Sequence, residues 1–166
     1  MKDKTYFFHQ TPKELAKKLI ECLPLVDGDK VLEPFKGEGA FYNNLPENVE
    51  KYWTEIEEGR DYKSFTDKVD WVISNPPFKL ESTEGKVNAF WEILKYYTNI
   101  ATKGIAFLGN DYCFSTLTPK RMKELNEKGF YIHSYKICSV KAWRGRYFFI
   151  IFTKEQSHIG YLEGNF

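Results

Sequence analysis

The sequence predicts an α/β fold: a mostly parallel twisted sheet with helices on both faces and a C-terminal antiparallel hairpin. Three observations predict it. Short apolar or β-branched runs alternate with stretches of helical periodicity, the pattern of a parallel sheet covered on both sides. Two unusual loops, Glu33-Pro34-Phe35-Lys36-Gly37-Glu38-Gly39 and Asn75-Pro76-Pro77-Phe78, each follow a strand directly. The last two aromatic-rich runs lie close together in the chain, so they pair antiparallel.

The elements follow in order. Thr11-Pro12-Lys13-Glu14 reads as a helix start, with Thr11 as N-cap and Pro12 at the first helical position. Leu15, Ala16, Leu19, Ile20 and Leu23 then recur at helical spacing. Residues 30–33 form a buried strand, and 40–45 a short helix after the glycine loop. Residues 51–55 and 69–74 are further strands, the second ended by Pro76 and Pro77, which cannot continue a ladder. Residues 87–101 carry Phe90, Ile93, Leu94 and Tyr97 on one helical stripe. A strand at 104–108 and a helix at 119–128, stopped by Gly129, lead to strands at 130–140 and 147–153. The whole chain, 1–166, is expected to be one domain.

Composition narrows the function classes. Hydrophobic residues make up 42% and aromatics 17% of the chain, enough for a packed core. No apolar run approaches the roughly 20 residues that cross a membrane, and the N-terminus lacks the apolar stretch of a signal peptide. Cys22, Cys113 and Cys138 are far apart and form no CxxC pair, which points to reduced thiols inside a cell. His9, His133 and His158 do not cluster, so no metal is expected. Charge is uneven although the net is +1: residues 33–70 hold roughly ten acids against five bases. Residues 118–147 hold Lys120, Arg121, Lys123, Lys128, Lys136, Lys141, Arg144 and Arg146 against only Glu124 and Glu127. Such a basic stretch suits a polyanion.

The two loops carry the chemistry. Gly37 and Gly39 let the backbone turn sharply and approach a ligand. Glu55, at the end of the second strand, can accept hydrogen bonds from both hydroxyls of a ribose, and Asp61 from an adenine amino group. In Asn75-Pro76-Pro77-Phe78 the prolines fix two φ angles and remove two donors. The loop left is rigid and presents acceptors: the Asn75 side-chain oxygen and the Pro76 carbonyl. Two acceptors that grip both hydrogens of an exocyclic amine leave its nitrogen ready to attack an electrophile. Phe78 offers a face for a planar base. Trp143-Arg144-Gly145-Arg146-Tyr147 interleaves aromatics and arginines, which suits a flipped base and its phosphates.

This constellation resembles the class I S-adenosylmethionine-dependent amino-methyltransferases, in particular the adenine-N6 nucleic-acid branch, over nearly the whole chain. Residues 33–39 look like that family's (D/E)PxxGxG cofactor motif, and 75–78 like its (N/D/S)PP(Y/F/W) catalytic motif. The resemblance implies a Rossmann-like fold and S-adenosylmethionine as cofactor, released as S-adenosylhomocysteine. It implies cofactor contacts from Phe8, Thr11, Pro12, Glu33, Pro34, Phe35, Gly37, Gly39, Ala40, Phe41, Glu55, Ile56, Asp61, Tyr62 and Asn75. It implies catalysis by Asn75, Pro76, Pro77 and Phe78, with Phe78, Lys79, Trp143, Arg144, Arg146 and Tyr147 on the substrate.

Three features depart from the pattern. Residues 55–69 are too few for the usual helix and third strand, so that sheet edge should be trimmed. No recognition domain is expected after the last strand. The polar insert at 79–86 looks like a mobile loop able to close over the target. The expected partner is nucleic acid, DNA before RNA, with a homodimer or helper subunit assisting a catalytic core this small. Methylation of RNA adenine, methylation of a protein glutamine amide and a non-catalytic nucleic-acid-binding role are the alternatives.

Overall fold

The computed structural model describes residues 10–80 and 88–165. Phe8 therefore lies outside the described residues, as does all of the 79–86 insert after Leu80. The described chain runs α1 (Lys13–Ile20), β1 (Lys30–Glu33), β2 (Glu50–Trp53), β3 (Val69–Ser74), α2 (Ala89–Thr98) and β4 (Ala101–Asn110). It continues through α3 (Asp111–Ser115), α4 (Pro119–Glu127), β5 (Tyr131–Cys138) and β6 (Tyr147–Thr153). No helix among the described residues is long and apolar enough to cross a membrane.

The sheet order is β2-β1-β3-β4-β6-β5. β1 pairs in parallel with β2 and β3, and β3 in parallel with β4. β6 is antiparallel to both neighbours, sliding between β4 and β5. The hairpin is thus present. The trimmed edge is present too: β2 is the outermost strand, and between it and β3 the chain makes only 3₁₀ turns at Ile56–Glu58 and Tyr62–Ser64.

Strand alternation splits the core in two. On one face α1 lays Ala16, Leu19 and Ile20 against Val31, Ile73, Leu108 and Phe149. On the other, α2 and α4 bring Phe90, Ile93, Leu94 and Leu125 against Val72, Ile105 and Phe107. β6 is buried along its whole length, because helices or loops cover both its faces and strands flank both its edges. Where Trp71 and Gly104 stand opposite in the β3–β4 register, the indole ring lies on the glycine. A Cβ on Gly104 would sit 2.3 Å from that ring.

Four local expectations are corrected. Thr11 does not cap α1: Pro12 occupies the cap position with no side-chain hydrogen bond, and the Thr11 hydroxyl is engaged elsewhere. The helix expected at 40–45 is only a 3₁₀ turn, Tyr42–Asn44. Asn44 Nδ2 donates back to the Ala40 carbonyl at 2.8 Å, and Pro46 follows at once, so the turn cannot lengthen. β4 starts three residues early, at Ala101, because Thr102 and Lys103 have partners at that end of the sheet. Thr102 donates to Asp70, and Lys103 pairs with Asp29 and Asp70. Finally α3 was not expected. Asn110 ends β4 and caps the next turn by accepting from Cys113 N at 3.1 Å.

Candidate active site

β1 has β2 on one side and β3 on the other, so the strand order reverses there and the carboxyl ends of β1 and β3 splay into a crevice. The two unusual loops leave those two strand ends.

The first loop is held from three sides. Gly37 and Gly39 have φ of +51° and +82°, which side-chain-bearing residues rarely adopt. Lys36 N donates to the Thr54 carbonyl at 3.1 Å, and the buried Thr54 hydroxyl donates to the Pro34 carbonyl at 2.6 Å. Glu55 Oε2 accepts from Gly37 N at 2.7 Å. The acid expected at the ribose therefore also fixes the glycine turn.

Glu33 is only 2% exposed, and its Oε2 accepts from Tyr42 N at 2.7 Å. Burial pushes its pKa up to about 8, against the lowering effects of the Tyr42 N–H and Lys36; the nearby Glu55 carboxylate adds to the rise. Glu33 braces the loop from inside.

The second loop is tied to the first through the chain segment that precedes α1. Asn75 Nδ2 donates to the Thr11 hydroxyl at 3.3 Å. Gln10 Oε1 accepts from Glu38 N at 3.4 Å and would lie 3.1 Å from a Cβ on Gly37. Residues 10 and 11 thus staple both loops, one residue each. Gln10 was not among the expected contacts, although it lies in the segment between two of them, Phe8 and Thr11. Pro76 is buried, Pro77 half-buried and Lys79 exposed. Phe78 is half-buried and touches both core clusters.

The remaining expected residues fall into two groups. Ile56 is 67% exposed beside Glu55, and Asp61 is exposed, with Oδ1 accepting from Lys63 N at 2.9 Å. Ala40 is half-buried, and Phe35 packs its ring 5.3 Å from Tyr62. By contrast, the side chains of Tyr62 and Phe41 lie in the core. Tyr62 packs on Tyr96 and Tyr97, and Phe41 stacks on Phe149. Tyr147, expected on the substrate, is 3% exposed under Trp143 with the rings 4.5 Å apart. Its ring supports Trp143 and is not a surface that a base reaches. Arg144 and Arg146 are exposed in the β5–β6 connection. Because Asn110 and Tyr147 stand opposite in the β4–β6 register, that connection reaches the same sheet edge as α3.

The residues present fit a ribose-bearing cofactor. Two glycines keep the turn tight against Gln10 and Asn43, the Glu55 carboxylate lies two residues past the end of β2, and the exposed Ile56 side chain adjoins it.

No protein-family model matches the sequence, and no curated protein matches it. Solved structures do match. TrmN from Thermus thermophilus superposes with a TM-score of 0.59 at 18% identity, over 86% of this chain and 49% of its own. Magnesium protoporphyrin IX methyltransferase from Synechocystis, with bound S-adenosylmethionine, gives 0.64 at 13% identity, over 86% and 79%. A chain of the type I R-M system gives 0.65 at 12% identity, over 87% and 42%. The chain thus spans about half the length of TrmN and less of the R-M protein. At such identities the likeness is one of fold: the architecture is that of the Rossmann-like S-adenosylmethionine methyltransferases.

Proposed function

We propose that the chain transfers a methyl group from S-adenosylmethionine to the exocyclic N6 amino group of adenine in nucleic acid, with DNA as the first candidate. One observation carries this reading. Asn75 heads a proline-locked loop at the carboxyl end of β3, and its amide nitrogen is anchored on Thr11, beside the glycine turn at the end of β1.

When bound, S-adenosylmethionine supplies an electrophilic methyl group. Glu55 would hold its ribose, Asp61 and Ile56 its adenine, and the backbone at Gly37–Gly39 would lie against its amino-acid part. Anchoring Nδ2 on Thr11 makes Oδ1 the end of the Asn75 amide that receives a substrate N–H. The Pro76 carbonyl receives the other. Both acceptors grow stronger partners as positive charge builds on the amine nitrogen, so they favour the transition state over the bound substrate. No strong general base is needed, because the amine becomes acidic only as its new bond forms, and its proton can then pass to solvent. A duplex adenine must rotate out of its stack to reach the loop. Phe78, Trp143 and the arginines at 144 and 146 suit the displaced base and its phosphates.

The reading is tested by tritiated methyl transfer to DNA, RNA and protein pools in parallel, with the product nucleoside identified. Label in N6-methyladenine of DNA is the expected result. Label in no pool, with S-adenosylmethionine bound or not, refutes it.

A further inference from the structure

Three of the six large apolar side chains exposed among the described residues lie on α3 and β5, and none of the three enters the methyl-transfer step proposed above. Tyr112 is 61% exposed on α3, and Tyr135 and Ile137 are 40% and 65% exposed on the outer strand β5. Ring contacts join Tyr135 to β6, and Tyr112 adjoins an ion pair at the same end of the sheet. Arg146 Nε lies 3.3 Å from Asp111 Oδ1, next in the chain to Tyr112, and the Arg146 guanidinium sits 6.0 Å from the centre of the Phe148 ring. Phe148 packs at a tilt on Phe114 with ring centres 4.6 Å apart, and Phe114 meets Tyr135 edge-on at 5.4 Å. Ile137 stands opposite Phe148 in the β5–β6 register. The patch starts at the catalytic edge, where Asn110 pairs with Tyr147. It descends β5 by about three residues, or roughly 10 Å at 3.3 Å per residue.

Its charge selects the occupant. The β5–β6 connection, which meets the sheet at this edge, carries Lys141, Arg144 and Arg146 and no Asp or Glu. The acid nearest the patch, Asp111, is already paired with Arg146. Flat aromatic platforms beside these cationic side chains fit an unstacked polyanion whose bases expose their π-faces. A duplex keeps those faces stacked on each other and offers only its backbone to such a surface.

We propose that this patch binds single-stranded nucleic acid leaving the catalytic mouth. Bases beside the target stack on Tyr112 and Tyr135, Ile137 lines the path, and Arg146 exchanges Asp111 for a phosphate. This names the form of the substrate and rests on the nucleic-acid reading above. The selectivity it implies is for unpaired strands.

The test is fluorescence anisotropy with a labelled 12-mer, as a DNA or RNA single strand and as the blunt DNA duplex, without cofactor. Wild-type protein should bind a single strand at least tenfold more tightly than the duplex. Tyr112→Ala should weaken single-strand binding by about 5- to 150-fold, the range for losing one base–aromatic stack. It should leave duplex binding unchanged, and Tyr112→Phe should bind like wild type. Tyr112 is mostly exposed, so its truncation should not unfold the chain, which a thermal melt checks. Equal affinity for duplex and single strand overturns the proposal, and so does wild-type single-strand binding by Tyr112→Ala. A shift from dimer to monomer in Tyr112→Ala, with binding intact, assigns the patch to a second copy and also overturns it. Methyl transfer is read in a separate assay, so absent transfer with strand selectivity intact counts against the methyltransferase reading alone.

Discussion

Asn75 and Thr11 are sixty-four positions apart and share one hydrogen bond of 3.3 Å. That bond fixes which end of the amide accepts. Thr11→Val keeps the shape and removes the acceptor, so the amide loses its reference. Losing one neutral hydrogen bond of ~0.5–1.5 kcal/mol should lower kcat by about 2- to 12-fold while leaving the KM for cofactor unchanged, and Thr11→Ser should restore it. Steady-state kinetics with both substrates varied separates the two effects. Next to Asn75, the Ser74 hydroxyl is buried without a hydrogen-bond partner. Ser74→Ala should therefore be neutral or stabilising by up to about 1 kcal/mol in urea unfolding, although it adjoins the proposed catalytic tetrapeptide. Glu33 makes a pH prediction. Its folded pKa of about 8 lies above the 4.5 of an unperturbed glutamate, so the folded state binds the extra proton between those values. Stability should fall as pH rises from about 4.5 to about 8. Glu33→Gln should flatten that fall, as read from denaturant midpoints across the range.

At the scale of elements, the glycine turn and the β1–β3 crevice explain why the site is where it is. Gly39→Ala should cost ~1–2 kcal/mol for a left-handed residue and push Asn43, whose Nδ2 would lie 2.9 Å from the new Cβ. Cofactor affinity should drop with it, as measured by calorimetry. Much of this scale was legible in the sequence. β3 and β6 begin and end where the residues said, because Pro76 and the turn glycine Gly145 punctuate them. The short edge beyond β2 was legible from chain length alone. What was not legible depended on tertiary partners. Thr11 looks like an N-cap in any helix signature, yet its hydroxyl has a better use across the crevice. Residues 40–45 have helical composition at Ala40 and Leu45, but Asn44 turns back on the Ala40 carbonyl. Tyr147 alternates with arginines as a nucleic-acid contact would, while its position on a fully buried strand puts the ring in the core. The N-cap at Asn110 was visible in principle, since Asn110-Asp111 opens the α3 turn.

Across the whole molecule, two cores share one sheet, and the sheet tolerates little change where they meet. Gly104→Ala would drive a methyl group to 2.3 Å from the Trp71 ring, so it should destabilise by about 3 kcal/mol or more and show in the thermal midpoint. The same molecule is divided by charge: an acid-rich half carries the crevice wall at β1 and β2, and a basic half carries α4, β5 and the β5–β6 connection. The proposed cofactor site at the switch point and the proposed polyanion surface share one edge of the sheet. The claim on which everything rests is that Asn75 acts on the transferring group and not on the cofactor. Asn75→Ala, assayed for single-turnover methyl transfer alongside calorimetric binding of S-adenosylmethionine, tests it directly. The account predicts a loss of about 10²–10³ in transfer rate with cofactor affinity unchanged; equal loss of both, or transfer at the wild-type rate, contradicts it.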